Sequence, residues 1–252
     1  MTDPNYTALL LIVDRSGSMA DIKSDMEGGL TSLLTEQKAL PGLLTVDLYT
    51  FDTAIDHVHA LETPDKVAVV IEPRGGTALY DAIGLGVTEF GQALAAMPEH
   101  ARPDTVQVIV VTDGYENSSR EYSLRRVREL IVQQKDHYKW DFVFLGANQD
   151  AVLSGVELGF DAGSSMSFNP DADGVDATSR NMNRYMTDVR LKQKKLFLAE
   201  ERISSLKAER DELRRQQAEA QAAQAAQADA AGTNAATPES DNSGEDEQPK
   251  SA

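Results

Sequence analysis

Four apolar runs rich in β-branched residues mark the first part of the chain: ALLLIVD at 8–14, LLTVDLYTF at 43–51, TVQVIVVTD at 105–113 and WDFVFLGA at 140–147. Between them lie longer amphipathic stretches at about 19–39, 78–97, 122–138 and 149–158. Near-continuous apolar strands alternating with helices indicate a parallel sheet buried on both faces. The pattern predicts an α/β fold, a three-layer doubly wound sheet with right-handed crossovers. A shorter run, AIDHVHAL at 54–61, follows its predecessor after only Asp52 and Thr53. That gap is too short for a helical crossover, so the pair is expected to form a hairpin whose second strand is an antiparallel edge.

Past residue 178 the pattern changes. Residues 1–178 carry a net charge of −16, 179–215 one of +5 and 216–252 one of −6. The middle segment is free of Gly and Pro and rich in Lys, Arg, Glu and Leu, which favours a long helix. Met182, Val189, Leu196 and Ile203 recur every seven residues, with Tyr185, Ala199, Leu206 and Leu213 as a companion stripe. Interrupted by Lys192 and Arg210, this seam offers a route to a coiled-coil homo-oligomer, or a basic helix that docks on an acidic surface. The Ala/Gln repeats and TPESDNSGEDEQPKSA that follow are too polar to bury a core and are expected to be disordered. Three segments are therefore expected: a domain over 1–178, a charged helix over 179–215 and a tail over 216–252.

The formal charge of −17 disfavours nucleic acid and anionic membrane surfaces as partners. Cysteine is absent, which excludes disulfides and thiolate metal sites. MTDPNYTA lacks the features of a secretory signal, and no apolar run approaches a membrane span, so a cytoplasmic protein is expected.

Candidate chemistry gathers where the strands end. In an open α/β sheet ligands sit at the carboxyl ends of the strands. Asp14 ends the first run and Asp113 the third, and side by side they would repel unless a cation or proton lay between them. Ser16 and Ser18 add hard oxygen donors in DRSGS, a set suited to Mg²⁺, Mn²⁺ or Ca²⁺ and not to zinc or copper. In EPRGGTALYDAI at 72–83, Gly75 and Gly76 permit a tight turn that presents Thr77 as a further ligand or as a helix cap. Arg15 is expected at the exposed rim. Tyr115, Glu116, Asn117 and Ser118, with Asn148, Gln149 and Asp150, are candidates for a rim that sets partner choice. His57 and His59 share a strand face, and an exposed face is the simpler reading of them than a metal pair.

Together, Asp14-x-Ser16-x-Ser18, Thr77 after a Gly-Gly turn and Asp113 in VVTDGYEN resemble the metal-ion-dependent adhesion site (MIDAS) of von Willebrand factor A (VWA) domains, in an intracellular microbial form. The resemblance covers about 6–165 and implies a Rossmann-like fold. It also implies that Ser16, Ser18 and Thr77 bind an ion directly, and that Asp14 and Asp113 bind it directly or through water. An Asp or Glu carboxylate from a partner protein would complete the shell. The expected function is therefore a non-enzymatic, cation-dependent protein-binding module. A regulatory or structural subunit of a larger microbial or phage assembly or ATPase complex is the alternative. No P-loop pattern is present, so any ATPase would be another chain. A phosphohydrolase with Asp14 as nucleophile fits less well, because no second Asp follows two residues on and no lysine-bearing loop is evident.

Overall fold

The computed structural model describes residues 1–147, 150–193, 196–206 and 211. The chain divides into two units, Met1–Glu209 and Arg210–Ala252, and the account below concerns the first. Six strands form one sheet: β1 (Asp3–Asp14), β2 (Leu43–Phe51), β3 (Ile55–Glu62), β4 (Pro103–Thr112), β5 (Asp141–Ala147) and β6 (Ser165–Phe168). Their order is β3-β2-β1-β4-β5-β6; β2 and β3 pair antiparallel and all other neighbours are parallel. The doubly wound α/β fold with one antiparallel edge strand is the one expected.

The alternation of side chains along β1 explains the layers. Leu9, Leu11 and Val13 face one core, shared with Met26, Leu30 and Leu33 of α1 (Lys23–Lys38) and with Met182, Met186 and Val189 of α5 (Ala172–Arg190). Ala8, Leu10 and Ile12 face the other, packed by α2 (Leu79–Ala96), α3 (Leu124–Tyr138) and α4 (Ala151–Leu158). Because helices cover β1 on both faces, every residue of its apolar run is buried, which is why the run is continuous.

Strand β6 carries no sequence signal, since four residues, SMSF, are too few to display a period. The larger correction concerns the helix expected over 179–215. Helix α5 starts earlier, where Asp171 accepts a hydrogen bond from Gly174 N at 2.7 Å, so the expected domain boundary at 178 falls inside it. It stops at Arg190, and Lys192 takes a left-handed φ of 58°. Met182, Tyr185 and Val189 are buried in the core, whereas Leu196 and Ile203 are exposed. A seven-residue recurrence over two turns is equally the inner face of a helix packed on its own domain, and here packing against α1 and the sheet wins. The chain then folds back as a strap ending in α6 (Ala199–Ser204). Phe197 N donates to Gly163 O at 2.9 Å, Asn169 N to Ser205 O at 3.1 Å and Ser205 Oγ to Ser167 O at 3.0 Å, so the strap lies along β6. Apart from Asp211, the predicted helix beyond Leu206 and the predicted disordered tail lie outside the described residues.

His57 and His59 do not meet at a metal. His57 stacks on Tyr49 and bonds to Asp47 Oδ1 at 2.5 Å, while His59 Nε2 accepts from Ala68 N. Among the described residues no helix is long and apolar enough to cross a membrane.

Candidate metal centre

The register sets the site. Val13 pairs with Val111 on β4 and Asp14 with Phe51 on β2, so Asp14 and Asp113 emerge from adjacent strands at the carboxyl edge of the sheet. Asp14 is fully buried. Its Oδ1 accepts from Ser16 N at 2.6 Å and its Oδ2 from Thr112 Oγ1 at 2.6 Å. The first bond folds the chain back after β1, which turns Ser16 toward the strand end it has just left. Ser16 Oγ lies 3.1 Å from Ser18 Oγ, and Ser18 Oγ donates to Asp113 Oδ1 at 2.6 Å.

Thr77 arrives from the loop before α2. Its own backbone fixes it: Thr77 N donates to Asn117 Oδ1 at 2.9 Å, and Thr77 O accepts from Asn117 N and Ser118 N. Gly114 shows how closely the three hydroxyls converge. A Cβ built there would lie 2.9 Å from Thr77 Oγ1, 3.5 Å from Ser18 Oγ and 3.8 Å from Ser16 Oγ. The missing side chain leaves a cradle lined by three hydroxyl oxygens, with Asp113 one residue before it. All five residues singled out in the sequence are brought to this edge. Gly76 is equally constrained, since a Cβ would meet Ser118 Oγ at 2.4 Å and Asn117 Oδ1 at 2.6 Å. The Gly-Gly turn is needed for this close approach of two loops.

Burial raises the Asp14 carboxyl to about 6, against the opposing hydrogen bonds from Thr112 and Ser16; repulsion from Asp113 is a minor contribution. Asp113 is also raised, again chiefly by burial. The two carboxylates do repel, as expected, but desolvation at the end of a central strand is the larger effect. A divalent cation would relieve both. Hydroxyls rather than carboxylates make up most of the set, and among the described residues no group of three or more His, Cys, Asp or Glu side chains could hold a metal. Three neutral and two anionic oxygens fit a hard divalent ion.

Several neighbours differ from expectation. Arg15 is buried and not at the rim, drawn in by Asp52 and Asp56. Glu116 turns inward to accept from Tyr80 N, Ser118 N and Ser119 N, and Asp150 caps α4. Of the expected rim residues Tyr115, Asn117 and Asp150 are exposed, Tyr115 at 63%. Asn148 and Gln149 lie outside the described residues. Thr112, Asp52 and Gly114 were missed; a hydroxyl next to the strand-end aspartate and a glycine just after it were the available signals for two of them.

The sheet order, the strand-end carboxylates and the hydroxyl cradle define a class, the doubly wound domains with an oxygen-donor site at the strand ends. The family follows from the sequence. Residues 4–136 match the family described as VWA domain containing CoxE-like protein, and the chain belongs to that family. No curated protein matches. Among solved structures it is similar to proximal thread matrix protein 1 from the mussel byssus with a zinc-occupied MIDAS motif. The two are 17% identical over 75% of this chain and 46% of that one, with a TM-score of 0.50. It is likewise similar to the pilus adhesin SpaC from Lactobacillus rhamnosus GG in its open conformation. That match is 16% identical over 71% of this chain and 29% of that one, with a TM-score of 0.53. The chain spans less than half the length of these proteins, and at such identities the likeness is one of fold.

Proposed function

We propose that this chain is a divalent-cation-dependent protein-binding module that acts without catalytic turnover. Asp14, Ser16, Ser18, Thr77 and Asp113 would hold the ion, and an Asp or Glu from a partner protein would complete its shell. The observation that carries this reading is the cradle at Gly114, where hydroxyls from two separate loops meet between strand-end carboxylates. When bound, the ion supplies positive charge that the three hydroxyls leave largely unneutralised, and so attracts an incoming carboxylate. The protein's own part is to orient the hydroxyls and to hold Asp14 at the strand end, where the ion would offset the cost of its buried charge. In this way a chain of strongly negative charge can still take an acidic ligand. Mg²⁺ is the favoured ion on donor chemistry, with Mn²⁺ and Ca²⁺ next. Zinc in the MIDAS motif of the mussel protein earns zinc a place in the same titration.

Calorimetric titration of Mg²⁺, Mn²⁺, Ca²⁺ and Zn²⁺ tests the reading. Wild type is expected to bind at least one of them, and Thr77→Ala and Gly114→Ala to bind it about tenfold or more weakly. Gly114→Ala removes no ligand and acts only by placing a methyl group in the cradle. Capture of partners should be lost in EDTA and restored by the metal. Absence of binding by wild type, or partner capture indifferent to EDTA and to both variants, would sink the proposal.

Acid should weaken the site. A proton and the cation compete for Asp14, whose carboxyl is raised to about 6 by burial, so affinity is retained above that value and lost below it. Between pH 7 and pH 5 the apparent affinity is expected to fall on the order of tenfold. Titration at three pH values checks this, and a flat profile would remove Asp14 from the ligand set.

A further inference from the structure

Outside the five-residue set, one buried ion cluster reaches both of the loops that carry hydroxyls. Asp52 follows β2 and is 2% exposed; its Oδ2 accepts from Arg15 Nε at 2.9 Å and from Arg74 Nε at 2.8 Å. Arg15 sits between Asp14 and Ser16 in the first loop, and Arg74 immediately precedes Gly75-Gly76-Thr77 in the second. Backbone bonds close the same triangle. Arg15 N donates to Phe51 O, Arg74 N to Arg15 O at 2.9 Å, Gly17 N to Gly75 O at 3.3 Å and Ala78 N to Asp52 O at 2.8 Å.

The charges within this triangle are unevenly placed. The Arg15 guanidinium is buried, bonds to Thr50 Oγ1 at 3.0 Å and pairs with Asp56, which is itself more than half exposed. Arg15 Nη2 has no hydrogen-bond partner among the described residues. Asp52 is therefore the buried counter-ion of a cation lying one residue from two of the proposed ligands. The side-chain bonds of Asp52 go to Arg15, Arg74, Thr53 and Ala54.

We propose that Asp52 is a positioning residue of the metal centre, joined with Arg15 and Arg74 in an ionic latch that fixes the Ser16/Ser18 loop against the Thr77 loop. It rests on the metal-binding reading above. The latch does two things at once. It sets the spacing of hydroxyls delivered from different parts of the chain, and it neutralises a buried guanidinium that would otherwise oppose a divalent ion nearby. Groups that stand behind metal ligands typically change metal affinity by about 10- to 100-fold when removed, because ligand geometry is lost with them.

The test combines Mn²⁺ titration with amide hydrogen exchange on the metal-free full chain, for wild type, Asp52→Asn, Arg74→Met and Arg74→Lys. Arg74 is half exposed, so its variants keep the test alive should Asp52→Asn fail to fold. Asp52→Asn and Arg74→Met are expected to weaken Mn²⁺ binding by about tenfold, with Arg74→Lys closer to wild type. Without metal, exchange should quicken at Gly17, Arg74 and Ala78 while β4 and β5 keep their protection. Equal Mn²⁺ affinity in wild type and both latch variants would overturn the latch, as would exchange that rises uniformly across the sheet. A wild type that binds no Mn²⁺ overturns the metal reading and takes this role with it, an outcome distinct from a latch that fails in a protein that binds.

Discussion

The substitution Asp14→Asn is expected to weaken cation binding severely and at the same time to raise the melting temperature of the metal-free protein. Both effects come from one buried carboxylate. Its folded value of about 6 lies above the usual 3.8, so the native state holds the proton more tightly than the unfolded chain does. Stability contributed by this group is present at acid pH and declines as pH rises through about 6, since ionising a buried carboxylate without a cation is unfavourable. At pH 7 the cost is up to about 3 kcal/mol. An asparagine escapes it and can be accommodated. Ser16 N can still donate to the amide oxygen, and Thr112 Oγ1, which lies 3.2 Å from Gly114 O, can turn its proton there and accept from the amide nitrogen. A rise of a few degrees, about 3 °C or more, with loss of metal binding on the order of 100-fold, is the expected outcome. Calorimetric melting with and without metal would check it, and a metal-free melting temperature that falls would contradict the assigned burial cost.

The second large effect is expected far from the site. Phe197→Ala should lower stability by about 3 kcal/mol, which for a unit of this size is on the order of 10 °C. Phe197 is buried, packs on Tyr185 at 4.9 Å between ring centroids and lies beneath the Arg202 guanidinium. Around it Arg184 pairs with Glu201, Asn181 Nδ2 donates to Glu201 O at 2.9 Å, and Arg202 donates to Ser165 O and Ala162 O. Loss of the ring would loosen the strap from the outer edge of β6. Ile203→Ala provides the contrast. As a seam position of a coiled coil it should matter greatly, but exposed at 42% it is expected to change the melting temperature by only about 1 °C. Thermal melts of the two variants decide between the packings.

Why some of this was readable in the sequence and some was not follows from the range of the interactions. The strands of the sheet centre announce themselves because β1 and β4 are buried on both faces, which forces continuous apolar runs. The five site residues were readable because each stands at a strand end or just after a glycine turn, where chain direction leaves little choice. Arg15 was misplaced because its partners, Asp52 and Asp56, are distant in sequence and no period connects an arginine to a carboxylate across a strand pair. The break after Arg190 was hidden for a similar reason. Nothing in RLKQKKLF forbids a helix; the chain turns because Phe197 and Glu201 find partners on Tyr185 and Arg184.

The amino edge of the sheet has a practical use of its own. Strand β1 crosses the sheet from Asp3 to Asp14, a span of roughly 36 Å at the usual rise per residue. At its start Thr2 bonds to Asp104, which also pairs with Lys192, so an exposed lysine is anchored on the side opposite the cradle. A protein immobilised or labelled through that edge would present its strand ends outward. Binding measured in that orientation would report on the cradle without steric interference from the support.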